Sequence, residues 1–269
     1  MVGGRIMALC VAGVVTLCVG TAAVVTAEPF VVGEKLQYRI FWGPLPIGEA
    51  SLQVRGVENV QGHPCYHLIA QAQTTGLGRM LFPVNSVSES WLDVEGLFSR
   101  QYREERREGR RHRHTEIVFD YTAGVATIRN LRNGKSRQTP LAQPTQDIIS
   151  SLYYVRAQSL DLNKELTFDL VAGDEIWKVT LRPDARQKVE VRPFGRVPAL
   201  RVEPHPTLTI VAANKGRMWF WISDDARRVP LMVCSQMQIG SAQLVLYRLE
   251  PPADREERAA LQVARAAHP

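Results

Sequence analysis

The chain lacks the short motifs by which the common enzyme classes are recognised. Its 269 residues contain no Gly-x-Ser-x-Gly elbow, no Walker loop, no Gly-x-Gly-x-x-Gly fingerprint and no His-Glu-x-x-His pair. The adjacent acids Asp224 and Asp225 lie in WISDDARRVP, and we interpret them as turn residues because neighbouring acids seldom converge on one bond. The sequence therefore predicts no catalytic residue and no cofactor.

Cysteine is scarce, with four residues, of which Cys10 and Cys18 lie in an apolar N-terminal stretch. Each of these two follows a leucine where a lipoprotein signal needs a small residue, so we expect no lipidation. Cys65 and Cys234 are a candidate disulfide in an oxidising compartment. Two free thiols are the alternative, because nothing in the sequence sets the distance between them.

Histidine is also scarce, and four of the six residues fall in two groups with strand spacing. His63, Cys65 and His67 alternate along one segment, as do His112 and His114 along another, and alternate residues share a strand face. Neither group has recognised zinc-ligand spacing. We therefore expect no metal site.

Charged residues are absent from residues 6–25, and Val25-Thr26-Ala27 before Glu28 is typical of a signal-peptidase site. The run is about 20 residues, which is long enough to span a bilayer, so an uncleaved anchor is the alternative. We expect a periplasmic or exported protein, held at the inner membrane if the signal is not cleaved. The predicted organisation is a signal peptide at 1–27, a β-rich exported domain at 28–250 and a C-terminal tail at 251–269.

Short segments with alternating apolar and polar residues dominate the chain after Pro29. Examples are KLQYRIFW at 35–42, EASLQVRGV at 49–57 and NSVSESWLDV at 85–94, and Gly, Pro and Asn turn signals separate such segments. The sequence predicts a mainly β protein, with a single curved antiparallel sheet or half-open β-barrel of about a dozen strands.

One segment, TQDIISSLYYVRAQSL at 145–160, has helical spacing instead. It predicts an amphipathic helix, with Asp147 in its first turn, that packs against the sheet. A curved sheet partly closed by a helix makes an apolar cavity, a natural site for an acyl chain. The side chains expected to line or fill it are Trp42, Trp91, Trp177, Trp219, Trp221 and Phe220.

The stretch QYREERREGRRHRHTEIVFDY at 101–121 predicts a long β-hairpin with its tip at Gly109-Arg110. In that register paired residue numbers sum to 219, so Glu108 faces Arg111, and Arg103 faces Glu116. Opposite charges across a ladder contribute about 0.2 to 1 kcal/mol each. A turn one residue earlier would place arginines opposite arginines, so charge favours the first register.

The same stretch is also a candidate anion contact, formed by Arg103, Arg106, Arg110, Arg111 and Arg113. Arginine suits the phosphates of lipid headgroups and acidic glycans, but three interleaved glutamates dilute the positive field. Residues 100–114 hold seven Arg against three Glu and carry most of the net charge of +6. Because the basicity is local and the protein is expected to be exported, we expect no nucleic-acid partner.

Several stretches together resemble a bacterial envelope family catalogued as domain of unknown function 3108, over roughly 30–249. They are VGEKLQYRIFWGPLPIGEASLQV, PVNSVSESWLDVEGLFSRQYRE, EGRRHRHTEIVFD, TQDIISSLYYVR and FWISDDARRVPLMVCSQMQIGSAQLVL. The resemblance implies an exported β-rich domain with no established catalytic residue. The architectural analogy is the half-open barrel of periplasmic lipoprotein carriers.

Three functions stay open at this point. The first is a non-catalytic lipid-binding or envelope-assembly module, whose partner is lipid or another envelope protein and whose membrane association is peripheral or N-terminally anchored. The second is a structural or protein-interaction domain, which needs only an exposed strand edge or apolar patch. The third is an enzyme acting on an envelope polymer, which is disfavoured because no catalytic cluster is visible.

We expect the mature chain to begin at Glu28, because the small residues before it match the specificity of signal peptidase. N-terminal sequencing of the exported protein measures this directly. A membrane fraction whose protein begins at Met1 would show that residues 6–25 remain as an anchor.

Overall fold

A computed structural model of the chain describes residues 29–173, 175–205, 217–236 and 240–251. The predicted signal peptide and nearly all of the predicted tail lie outside the described residues. The strands are β1 (Lys35–Trp42), β2 (Leu45–Val60), β3 (His63–Thr74), β4 (Val84–Asp93), β5 (Ser99–Glu108), β6 (Arg111–Asp120), β7 (Val125–Asn130), β8 (Ser136–Pro140), β9 (Thr145–Gln146), β10 (Leu166–Ala172), β11 (Glu175–Val191), β12 (Gly195–His205), β13 (Met218–Ser223), β14 (Pro230–Gln236) and β15 (Ser241–Glu250). The helices are α1 (Gly76–Leu81) and α2 (Ile148–Ala157).

All fifteen strands form one curved sheet that does not close, which confirms the predicted fold class. The order is β8-β7-β6-β5-β4-β3-β2-β1-β15-β14-β13-β12-β11-β10-β9. Neighbours are antiparallel except β9, which pairs parallel to β10. Because β1 pairs with β15, Lys35 lies opposite Glu250 and the two ends of the domain meet.

The sheet ends at β8 on one side and at β9 beside β10 on the other, although β8 and β9 are consecutive in the chain. Residues of β8 and of the β10–β11 hairpin line the same recess, so the two margins of the sheet face each other. We call this gap the seam. It is the place where the barrel stays open.

The predicted hairpin is confirmed residue by residue. β5 and β6 pair Glu108 with Arg111 and Arg103 with Glu116, and every pair in the register has numbers that sum to 219. Gly109 has a φ of 55°, the left-handed conformation that a tight turn requires and that glycine adopts at low cost. Cross-strand charge pairing and the glycine were therefore sufficient to predict the register.

Helix α2 begins three residues later than its predicted segment, because Thr145 and Gln146 pair with β10 as the short strand β9. Asp147 is the N-cap rather than a first-turn residue, and its Oδ1 accepts hydrogen bonds from the amides of Ile149 and Ser150 at 2.7 and 2.9 Å. Its Oδ2 accepts from the hydroxyls of Ser90 and Ser99 at 2.6 and 2.5 Å. Burial raises the pKa of Asp147, and these four donors oppose that rise.

The C-terminal turn of α2 is held by a buried ion pair. Arg156 is 1% exposed, and its Nη1 donates to Oε1 of Glu34 at 2.6 Å while its Nη2 donates to Oε2 at 3.0 Å. The same guanidinium donates to the carbonyl oxygens of Pro29 and Arg227 at 2.6 and 3.2 Å. One side chain thus joins α2 to the start of the domain and to the β13–β14 turn.

We expect Glu34→Leu to lower the free energy of unfolding by about 3–5 kcal/mol, because it leaves the Arg156 charge buried without its partner. The double variant Glu34→Leu, Arg156→Met should be less destabilised than Glu34→Leu alone, since neither charge then remains. Urea unfolding measures both values. Glu165→Leu, which removes an exposed partner of Arg182, is the control and should leave the midpoint unchanged. A double variant at least as destabilised as Glu34→Leu would contradict the ion-pair role.

Candidate functional site

The interior of the sheet is filled rather than hollow. Three clusters of buried apolar side chains occupy it, and α2 contributes Ile149 and Tyr153 to one cluster and Val155 to another. An apolar cleft remains between α2 and strands β10 to β14, with a free volume of about 60 Å³. Small-molecule pockets usually measure about 300–1,000 Å³, so this cleft is too small for an acyl chain unless α2 moves.

The aromatic residues predicted for the cavity are dispersed. Phe220 does line the cleft, and Trp177 packs beside the same cluster. Trp221 packs against the cluster around β1, β14 and β15, while Trp219 lies under Arg217. Trp91 stacks on His67, and Trp42 stacks on Phe82. The expectation of one large aromatic-lined cavity is therefore corrected.

The most exposed apolar side chains belong to α1 and its flanks, between β3 and β4. Leu77, Met80, Leu81 and Phe82 are 61%, 80%, 69% and 61% exposed, and Leu45, the first residue of β2, is 53% exposed. The only buried residue of α1 is Gly78. A short helix that exposes almost its whole apolar surface is unusual in a soluble domain, where scattered single residues are the norm.

Three contacts hold α1 in this position. Gly78 lies against the carbonyl oxygen of Ile47 on β2 so closely that a Cβ atom would collide with it. Thr75 donates its amide to the same carbonyl oxygen at 2.9 Å. Phe82 stacks on Trp42, with ring centroids 6.1 Å apart and planes 10° apart. The helix is therefore fixed by its backbone and by one flanking ring, and the side chains Leu77, Met80 and Leu81 stay outside.

The arginine-rich hairpin ends beside α1, because the amide of Gly109 donates to the carbonyl oxygen of Pro83 at 2.8 Å. Arg107 pairs with Glu105 at 2.8 Å, whereas Arg79, Arg110 and Arg111 have no carboxylate partner among the described residues. An exposed apolar surface and unpaired cations thus meet at one end of the sheet. We call Leu45, Leu77, Arg79, Met80, Leu81, Phe82, Arg110 and Arg111 together the α1 end.

The structure divides the five arginines of the predicted anion contact. Arg103 pairs with Glu116 at 2.8 Å on the outer face, and Arg106 pairs with Glu108. Arg110 and Arg111 are exposed at the tip, and Arg113 lines a recess at the seam. The five therefore do not lie in one cluster, and the anion contact stays a prediction.

The two cysteines lie away from the hairpin tip, whereas His112 lies on β6 between Arg111 and Arg113, with its Nε2 3.1 Å from Oε1 of Glu105. Cys65 on β3 and Cys234 on β14 are free thiols, and three strands of the sheet lie between theirs, so the structure does not join the candidate disulfide. Burial raises the pKa of the Cys65 thiol to about 11. His67 is buried, and its ring nitrogens lie 2.8 Å from Glu58 and 3.1 Å from Glu89.

No group of three or more potential metal ligands is arranged to hold an ion among the residues that the structure describes. Within the same residues, neither helix has the length and apolar character needed to cross a membrane.

The sequence does not predict α1, because Gly76 and Gly78 are turn signals of the kind that separate the strands. The available clue was GLGRMLFP at 76–83, in which apolar residues outnumber polar ones although it connects two strands with polar outer faces. A connection of that composition is expected either to be buried or to contact another molecule.

Comparison with known proteins gives a family and a fold. The family model described as "Protein of unknown function (DUF3108)" matches residues 37–247. No curated protein matches the chain. Among solved structures, a beta-barrel-like protein of domain of unknown function DUF1849 from Brucella abortus is similar, with a TM-score of 0.52 and 9% identity over 81% of this chain and 97% of that one. This likeness shows the fold alone.

Two further solved structures are similar at lower TM-scores. One is a candidate lipoprotein from Parabacteroides distasonis, with a TM-score of 0.31 and 10% identity over 82% of this chain and 96% of that one. The other is a candidate exported protein with a YmcC-like fold from Bacteroides fragilis, with a TM-score of 0.32 and 10% identity over 83% and 98%.

We expect the triple variant Leu77→Ser, Met80→Ser, Leu81→Ser to unfold at the same urea midpoint as the native chain, because these side chains are already in water. Leu36→Ala is the comparison, since Leu36 is fully buried and its truncation should cost about 2–5 kcal/mol. A loss in the triple variant as large as that in Leu36→Ala would mean that α1 belongs to the core.

Proposed function

The chain belongs to the family described as "Protein of unknown function (DUF3108)", and from the geometry of the α1 end we propose that it is an exported, non-catalytic envelope protein that binds the surface of an anionic membrane. The observation that carries this proposal is the contact between the arginine-rich hairpin tip and the exposed apolar helix α1. The apolar residues 6–25, with the site before Glu28, support export to the periplasm.

The apolar part of the α1 end supports shallow insertion. Leu77, Met80 and Leu81 project from a helix whose backbone lies on β2, so they can enter the boundary between headgroups and acyl chains without rearrangement of the core. Burial of apolar surface contributes about 25 cal/mol per Å², and interfacial helices use this term to hold a protein on a membrane. The helix is too short to act alone.

The cationic part supplies the second contribution. Basic residues near an anionic membrane contribute about 1 kcal/mol each. Arg79, Arg110 and Arg111 have no carboxylate partner within the described residues, so an anionic surface can pair with them without first breaking an ion pair. Apolar insertion and charge together meet the requirement of two signals for stable peripheral binding.

A protein partner is the second candidate, because exposed apolar patches also mark protein interfaces. The unpaired arginines beside α1 favour a surface of dense negative charge over an ordinary protein surface. Membrane binding depends on lipid charge, whereas binding to a protein partner does not. Vesicles of different charge therefore distinguish the two candidates.

We expect the mature domain to sediment with vesicles of phosphatidylglycerol and phosphatidylcholine in low salt and to bind pure phosphatidylcholine much more weakly. A triple variant should weaken vesicle binding about a hundredfold, since three contributions of about 1 kcal/mol are lost. Its substitutions are Arg79→Gln, Arg110→Gln and Arg111→Gln. Leu77→Ser, Met80→Ser, Leu81→Ser should weaken it at every salt concentration. Raising the salt concentration should reduce vesicle binding by the native chain. It should have little effect on the residual vesicle binding of the arginine variant.

The matched controls lie at the opposite end of the sheet, in the β11–β12 hairpin. Phe194 is 44% exposed there, and Arg192 and Arg196 are exposed cations. Two control variants should leave vesicle binding unchanged: the single variant Phe194→Ser and the double variant Arg192→Gln, Arg196→Gln. The absence of vesicle binding in low salt, or equal losses in control and α1-end variants, would overturn membrane binding and favour the protein partner.

A further inference from the structure

A second cationic surface lies at the seam, apart from the α1 helix. A recess of about 530 Å³ opens between the start of β8 and the β10–β11 turn at Gly173. Arg113 on β6 and Lys135 and Arg137 at the start of β8 line it. Among the residues that the structure describes, none of these three cations has an ion-pair partner and no Asp or Glu lines the recess.

The other polar side chains of the recess can each donate a hydrogen bond. Asn130 and Asn133 use their Oδ1 atoms to accept the amides of Arg132 and Lys135 at 2.9 and 3.1 Å. Their side-chain NH₂ groups can donate to a ligand, as can the hydroxyls of Thr115 and Ser136. Three cations beside these amide and hydroxyl donors are suited to an anion.

The surroundings set the limits of this positive region. Burial raises the pKa of Glu104 on β5, and Arg106 and Arg113 oppose that rise, so Arg113 is near one carboxylate. Arg137 also lines a neighbouring recess of about 370 Å³, which contains Asp169 and Glu175. The acids lie on that side of Arg137, which leaves the first recess as the cationic one.

We propose that the seam recess binds a phosphate group carried on a small polar molecule or a lipid headgroup, held by Arg113, Lys135 and Arg137. Phosphate fits better than a carboxylate because a phosphate monoester carries nearly two negative charges and three acceptor oxygens, which can satisfy several donors at once. The volume exceeds that of a bare phosphate ion and lies within the usual range for small-molecule sites. This proposal does not depend on membrane binding by the α1 end.

Titration calorimetry in low salt, with no vesicles present, tests the site. The probes are inorganic phosphate, glycerol 3-phosphate and dihexanoyl phosphatidic acid below its micelle concentration, with acetate as the carboxylate comparison. We expect saturable binding of one phosphate probe per chain and much weaker binding of acetate. Equal affinities for glycerol 3-phosphate and the short-chain lipid would identify the phosphate ester alone as the ligand, whereas a preference for the lipid would identify a headgroup.

Arg137→Gln should weaken binding of the best probe about tenfold, which corresponds to about 1.4 kcal/mol. The triple variant Arg113→Gln, Lys135→Gln, Arg137→Gln should abolish it. Lys188→Gln with Arg196→Gln removes two exposed cations elsewhere and should have no effect. The serine variant of α1 should also bind normally, which separates this site from the proposed membrane contact.

Two results would overturn the proposal: no saturable binding of any phosphate probe, or equal binding by the native chain and the triple variant. The three side chains are exposed, so the variants should fold, and a thermal melt checks this. If the triple variant fails to fold, the single variants Lys135→Gln and Arg137→Gln decide the question by the same comparison.

Discussion

The fold depends on a single helix that is fixed at both ends inside an unclosed sheet. At one end the Asp147 carboxylate collects four hydrogen bonds, two from its own helix and two from serines of β4 and β5. At the other end Arg156 reaches Glu34 and two backbone carbonyls. An open sheet of fifteen strands has no ring of hydrogen bonds to fix its curvature, so the helix that bridges its two halves does so instead. The interior is filled, and both proposed binding surfaces lie outside it, at the α1 end and at the seam.

The up-and-down connectivity explains why the α1 end and the cations of the seam recess lie at the same end of the sheet. Alternate connections, β1–β2, β3–β4, β5–β6 and β7–β8, all lie at the same end of the sheet. This end therefore receives α1, the arginine-rich tip and the cations that begin β8. Segments far apart in sequence become neighbours because antiparallel strands return the chain to the same side every second turn.

Sequence patterns predicted the parts that depend on local rules. Alternation predicted strands, and charge pairing around Gly109 predicted the hairpin register, because a ladder compares residues that are close in sequence. The Arg156–Glu34 pair could not be predicted, since 122 residues separate its members and no periodicity links them. Helix α1 was missed because glycines flanking Leu77 indicate a turn, and only the tertiary contact of Gly78 with Ile47 shows why glycine is required there. Burial and long-range contact, rather than local propensity, decided both cases.

The pairing of Lys35 with Glu250 places the start and the end of the domain at one end of the sheet. The chain enters and leaves the domain at the end opposite α1, and the eight residues of β1, at about 3.3 Å each, separate the two ends by about 25 Å. The residues just before β1 are fixed to the domain, because Phe30 is buried and Arg156 donates to the carbonyl oxygen of Pro29. If residues 6–25 stay in a membrane as an anchor, the α1 end lies on the side of the domain farthest from that membrane. It would then face an opposing surface. If the segment is cleaved, this constraint on the orientation of the α1 end is removed.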